Sequence, residues 1–191
     1  MNKTNPIISF KSAHKFEQWL DKNHSKSDGI WLRINKKDSG KKSVTYAEAL
    51  DEALCYGWID GQKDKYDDES WLQRFTPRRL GSKWSKNNTT HLERLLKAGK
   101  VKPSGLKQVK EAKSDGRWEN AYHSQSTASI PDDFLKELEK DKKAKLFFET
   151  LNKTNLYAIT YRLQTAKKIE TREKRMKTIL EMLSKGEKFH P

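Results

Sequence analysis

Arg74, Arg78 and Arg79 stand within six residues of one another, and Ser82, Trp84, Ser85 and Asn88 follow directly. A guanidinium is a planar, permanently charged donor fork that fits a carboxylate or a phosphate two bonds at a time. Hydroxyls and an amide add neutral donors, and an indole adds a flat face. Slightly upstream, Trp58-Ile59-Asp60-Gly61 contributes a carboxylate beside another indole. This combination predicts a site for a small anionic ligand, with Asp60, Arg74, Arg78, Arg79, Ser82, Trp84, Ser85 and Asn88 as its candidate residues. The competing reading is structural: Arg78 and Arg79 are solvated, and Trp84 fills the core beside a capping Asn.

A second basic constellation lies near the C-terminus. Lys168, Arg172 and Arg175 fall at i, i+4 and i+7, which puts them on one stripe of a helix, with Lys167 adjoining. Ala166, Ile169, Met176, Ile179 and Leu183 make an apolar stripe beside it. Such a face can meet a phosphate, nucleic acid or an acidic partner. The Glu170–Lys174 pair one turn apart equally suits a solvated, self-bridged helix.

No catalytic residue is nominated. Ser-x-x-Lys occurs at Ser12/Lys15, Ser39/Lys42 and Ser104/Lys107, as chance provides in a lysine-rich chain. The five histidines show no zinc spacing, and Cys55 lacks a partner thiol, so neither a metal nor a disulfide framework is expected. Cys55 lies among apolar helix residues and reads as a packed, inert thiol. Asp67-Asp68-Glu69 reads as a turn. No glycine-rich phosphate loop or dinucleotide fingerprint is present, so no cofactor is expected.

The elements that must carry these residues follow from local pattern. Ile7–Phe10 predicts a short strand, and Ser12 caps a helix bearing Phe16, Trp19 and Leu20. Ile30, Leu32 and Ile34 alternate with Trp31, Arg33 and Asn35, the period of a strand with one buried face. Thr45 followed by Glu48 is a capping box. It opens a helix that buries Ala49, Leu50, Ala53 and Leu54 and closes at Gly57. A hairpin follows from Trp58 to Pro77, turning at Asp67–Glu69. Beyond it the pattern is helical: one helix is capped at Asn87, Asn88 or Thr90, another starts at Pro103 and a third at Pro131. The last runs from about Thr165 to Ser184. The fold class is α+β, with a small, mainly antiparallel sheet under covering helices in the N-terminal half and an all-α C-terminal half. The expected division is an α+β domain with trailing helices over 1–121, a Ser/Thr-rich linker over 122–130 and a helical region over 131–191.

Composition bounds the function classes. The chain has 191 residues, 34% apolar and 35% charged, and a net charge of +14; its mean hydropathy is −1.03. Six Trp argue for a compact core built around large rings, since disordered chains are poor in aromatics. The two halves share the excess charge equally, which suits a solubility shell better than a nucleic-acid arm. Nucleic acid is therefore an alternative partner and not the favoured one. Only four mostly apolar residues precede Lys11, too few for a signal-peptide core, and no run approaches a membrane span. A cytoplasmic protein without membrane insertion is expected.

Taken in order, these motifs resemble the YdeI/OmpD-associated (OmdA) family. The resemblance rests on Thr45 to Gly61, on Phe75-Thr76-Pro77-Arg78-Arg79 with Ser82, Trp84-Ser85 and Asn88, and on Gly116-Arg117-Trp118. It continues through Ala166-Lys167, Glu170-Thr171-Arg172 and Lys174-Arg175. It implies a bacterial protein connected with bacteriocin protection and antimicrobial stress, and it brings no established enzymatic activity, so the expectation leans away from an enzyme. The expected function is thus a cytosolic stress or resistance protein that binds an anionic ligand or partner. The alternatives are a nucleic-acid-binding protein and an enzyme using Asp60 with the arginine cluster.

Overall fold

The structure is a computed structural model that describes residues 5–191. Two compact units emerge. One comprises the chain up to Trp84 together with Asn88–Glu119, and the other Ser85–Asn87 with Asn120–Pro191.

The first unit is built on a four-stranded sheet. Its strands are β1 (Ile7–Ile8), β2 (Ile30–Asn35), β3 (Trp58–Lys65) and β4 (Ser70–Pro77). Their order is β1-β2-β4-β3, with β1 parallel to β2 and the other two pairings antiparallel. Two helices interrupt the strands, α1 (Ala13–Asn23) and α2 (Tyr46–Cys55), and two follow them, α3 (Lys86–Lys97) and α4 (Pro103–Ser114). The start signals act as local chemistry requires. Ser12 accepts from the N–H of Lys15, and Thr45 with Glu48 forms the reciprocal capping box. Gly57 ends α2 at φ +76°, a left-handed conformation that a side chain would strain.

Register sorts the sheet's residues by face, because directly paired residues point the same way. Ile30 pairs with Phe75, Leu32 with Gln73 and Ile34 with Trp71. This is the face that α1 covers, with the Phe16 ring 5.8 Å from Phe75. Trp31 pairs with Arg74 and Arg33 with Leu72 on the opposite face. Both Trp31 and Leu72 are buried there, so the alternation read from β2 understates how much of that face is closed. Arginines on the same face are held by polar partners. Arg33 donates to Ser70 Oγ at 2.9 Å and to Asp67 at 2.8 Å, and Arg74 to Asn5 at 3.1 Å. Long stems held down by their polar ends cover apolar surface without being apolar residues.

The second unit holds four helices: α5 (Asp132–Leu138), α6 (Lys142–Phe148), α7 (Lys153–Gln164) and α8 (Ile169–Ser184). Phe134, Leu138, Ile159, Leu163, Ile179 and Leu183 form its core. Asp141 caps α6 and Asn152 caps α7 through side-chain acceptors. Two sequence expectations change. The last helix starts at Ile169, because α7 ends at Gln164 and a short connection intervenes, with Lys168 in extended backbone at the cap. Likewise α3 already begins at Lys86, which places Asn87, Asn88 and Thr90 inside the helix and not at its cap. No helix among the described residues is long and apolar enough to cross a membrane.

Candidate functional site

The arginine-rich run leaves β4 at Pro77 and is tied down immediately, as the N–H of Arg78 donates to Gly57 O at 3.0 Å. The Arg78 side chain turns inward and is only 7% exposed. Its guanidinium carbon lies 3.4 Å from the centroid of the Trp84 ring, a close cation–π stack. One of its nitrogens donates to Lys83 O at 3.2 Å, so the arginine folds over the segment that follows it. Trp84 is 1% exposed and its ring stands 5.2 Å from that of Trp118.

A second buried guanidinium completes the arrangement. Arg117 is 5% exposed and donates to Ser82 O at 3.0 Å. Its Nε meets the two carboxylate oxygens of Asp115 at 2.8 and 2.6 Å. Two arginines from distant parts of the chain thus grip consecutive carbonyls, those of Ser82 and Lys83. Between Pro77 and Trp84 the tip of the loop projects. It is a turn closed by Ser82 N–H onto Arg79 O at 3.0 Å, with Gly81 at φ +75°. Arg79 is exposed at that tip, and Leu80 beside it is 90% exposed. The buried indole N–H of Trp84 has no acceptor among the described residues.

The remaining candidates separate from this loop. Arg74 lies in β4, half-buried, with Asn5 as its partner. Asp60 pairs with Phe75 across β3 and β4, which places it on the helix-covered face, whereas Arg74 points to the other. There Asp60 accepts a 2.8 Å hydrogen bond from the Tyr46 hydroxyl. Burial, followed by the Asp60 charge and this hydrogen bond, pushes the Tyr46 phenol well above its usual range. Ser85 belongs to the second unit, in a parallel bridge to Tyr122. Asn88 is buried in the first turn of α3.

The basic C-terminal stripe is largely consumed by packing within its own unit. Arg172 makes a two-pronged ion pair with Asp133 of α5, one prong at 2.8 Å. Arg175 donates to Arg162 O in α7 at 2.8 Å. Lys168 caps the helix from outside it, so the expected i, i+4, i+7 stripe loses its first member, and Lys167 and Lys168 are exposed. Ala166 also lies outside α8, and Ile169 is 75% exposed instead of lining the core.

Arg117, Trp118 and Tyr46 were not among the sequence-derived candidates. The Gly116-Arg117-Trp118 motif carried a signal, since an arginine beside a tryptophan repeats the chemistry of Arg78 and Trp84. More than thirty residues separate the two pairs. Nothing periodic links them.

Two family models match the chain. One, described as a domain of unknown function (DUF8412), spans residues 8–108. The other, described as bacteriocin-protection, YdeI or OmpD-associated (OmdA), spans residues 127–186. Neither a curated protein nor a solved structure matches.

Proposed function

The chain belongs to the DUF8412 family and carries a YdeI/OmpD-associated domain, and on that premise we propose that it is a cytosolic, non-enzymatic binding protein of bacterial antimicrobial-stress protection. Its ligand is a small oxyanion or an anionic group on a partner, taken at the turn of Arg79 to Ser82. The observation that carries this reading is the support beneath the turn. Two buried guanidiniums hold its carbonyls, so the exposed Arg79 is presented from a preorganised frame in a positive field. The protective role follows the description of the C-terminal family model as bacteriocin-protection, and the charge of +14 attracts anions from a distance.

Thermal melts of the full chain with pyrophosphate test the site. The expected result is a rise in melting temperature that saturates with concentration, and that chloride at matched ionic strength does not reproduce. Arg79→Ala removes the rise while leaving the melt without pyrophosphate unchanged, because Arg79 is exposed. Equal stabilisation of wild type and Arg79→Ala would remove the turn as the binding site.

A further inference from the structure

A groove of about 950 Å³ runs along the second unit, with α8 as one wall and α5 with the start of α6 as the other. Its α8 wall is one continuous face. Ile169, Arg172, Glu173, Met176, Lys177 and Leu180 recur at steps of three and four, and the same rhythm continues to Lys185. The walls are joined at both ends. Arg172 pairs with Asp133 near the start of α8, and Ser184 donates to Asp141 near its end. At a rise of about 1.5 Å per residue, those two ties stand roughly 18 Å apart along α8. The cleft between them is therefore preformed, with a length of about three helical turns.

Its chemistry differs from that of the whole chain. Along the floor, Met176 and Leu180 are partly buried against the core, and Ile169 is 75% exposed at one end. Five carboxylates and three cations line the cleft, a local excess of negative charge on a chain that carries +14. Glu137 on one wall and Glu173 and Glu181 on the other flank the apolar strip, with Lys177 between the latter two. Among the described residues Glu181 has a long 4.0 Å contact to Lys177, while Glu137 is paired at 2.7 Å with Lys140, an exposed lysine that a partner's cation would displace.

We propose that this groove docks a basic amphipathic helical segment of a partner, whose apolar stripe lies on Ile169, Met176 and Leu180 and whose Lys or Arg side chains reach the carboxylates of Glu137, Glu173 and Glu181. An apolar strip with flanking charges is the surface that a helix with anchors at i, i+3/4 and i+7 complements. The carboxylates select the sign of the partner. The local excess of carboxylates sets the groove apart from the net charge of +14, which opposes non-specific association of a basic peptide.

The test uses the full chain and a fluorescent, helical Leu/Lys peptide of about 14 residues, long enough to span the cleft. Anisotropy titrations should show saturable binding that weakens with salt, and no binding of a scrambled peptide of equal composition. Glu173→Lys with Glu181→Lys should weaken binding at least about tenfold, and Ile169→Asn should weaken it by a similar factor. Both sets of substitutions sit on exposed positions, and circular dichroism melts confirm that the fold is kept. The proposal is overturned if the scrambled peptide binds as well, or if the charge-reversed chain keeps its affinity. It is equally overturned if the helical peptide does not bind; self-association in sedimentation runs that these substitutions abolish would then make a second copy the occupant.

Discussion

Cys55 ends α2 with its side chain buried, beside Glu52 and Asp51 on the same helix. Burial pushes its thiol up to about 12, and the charges of Glu52 and then Asp51 add to the effect. The thiolate is the reactive form, so Cys55 is a packing residue with its chemistry suppressed. The folded chain should react with a thiol reagent at pH 8 at under about 1% of the rate in denaturant. Fast labelling of the native chain would contradict the burial. The arginines show that side-chain type alone does not distinguish a ligand contact from a structural clamp. Arg78 and Arg117 hold carbonyls and an indole, whereas Arg79, one residue from Arg78, is exposed at the turn. Which of the adjacent arginines turns inward depends on where Trp84 and Gly57 O lie, and no count of charges along the chain contains that.

At the scale of elements, a close fit in the first unit joins α4 to the end of α2. Lys102 N–H donates to Cys55 O at 3.0 Å, and α4 starts at Pro103 directly afterwards. A methyl group at Gly105 would lie 2.3 Å from that same carbonyl oxygen and 2.9 Å from Val101 Cγ1. Backbone cannot yield as a flexible side chain does, so Gly105→Ala must push α4 away from α2. The expected cost is about 1–3 kcal/mol, as for other overpacked sites, and denaturant unfolding measures it. Wild-type stability for Gly105→Ala would mean that the two helices are not in such close contact. The helix stripes and caps of α1 and α2 are set by neighbours within one turn, which is why they are legible in sequence. The start of α8 was not, since Thr165 to Lys168 contains neither Gly nor Pro to mark the break.

For the molecule as a whole, each unit has carboxylates whose partners hold them ionised. Hydrogen bonding from Arg172 holds Asp133 below the usual carboxylate range, and hydrogen bonding from Ser184 does the same for Asp141. In the first unit burial pushes Asp51 up, but hydrogen bonds from His91 and Arg94 outweigh it and leave the carboxyl lowered. A carboxyl that is more acidic in the folded chain stabilises it above the unfolded value, near pH 4, and loses that contribution as the pH falls. Melting temperature should therefore change little from pH 7 to 5 and drop below about pH 4, with a shallower drop for Asp51→Asn. An identical acid slope in Asp51→Asn would show that this pair does not contribute. The chain by itself determined the α+β to all-α order, the Thr45–Glu48 box, the hairpin through Asp67–Glu69 and the Arg/Trp-rich exit from β4. Each depends on residues within a turn or a strand, where periodicity and capping act. Tertiary structure alone decided that Arg117 reaches Ser82, that Tyr46 takes Asp60 and that the face of α8 opens into an acid-lined cleft. Those contacts join amphipathic side chains across 12 or more residues, and a polar group carries no local mark of which partner will satisfy it.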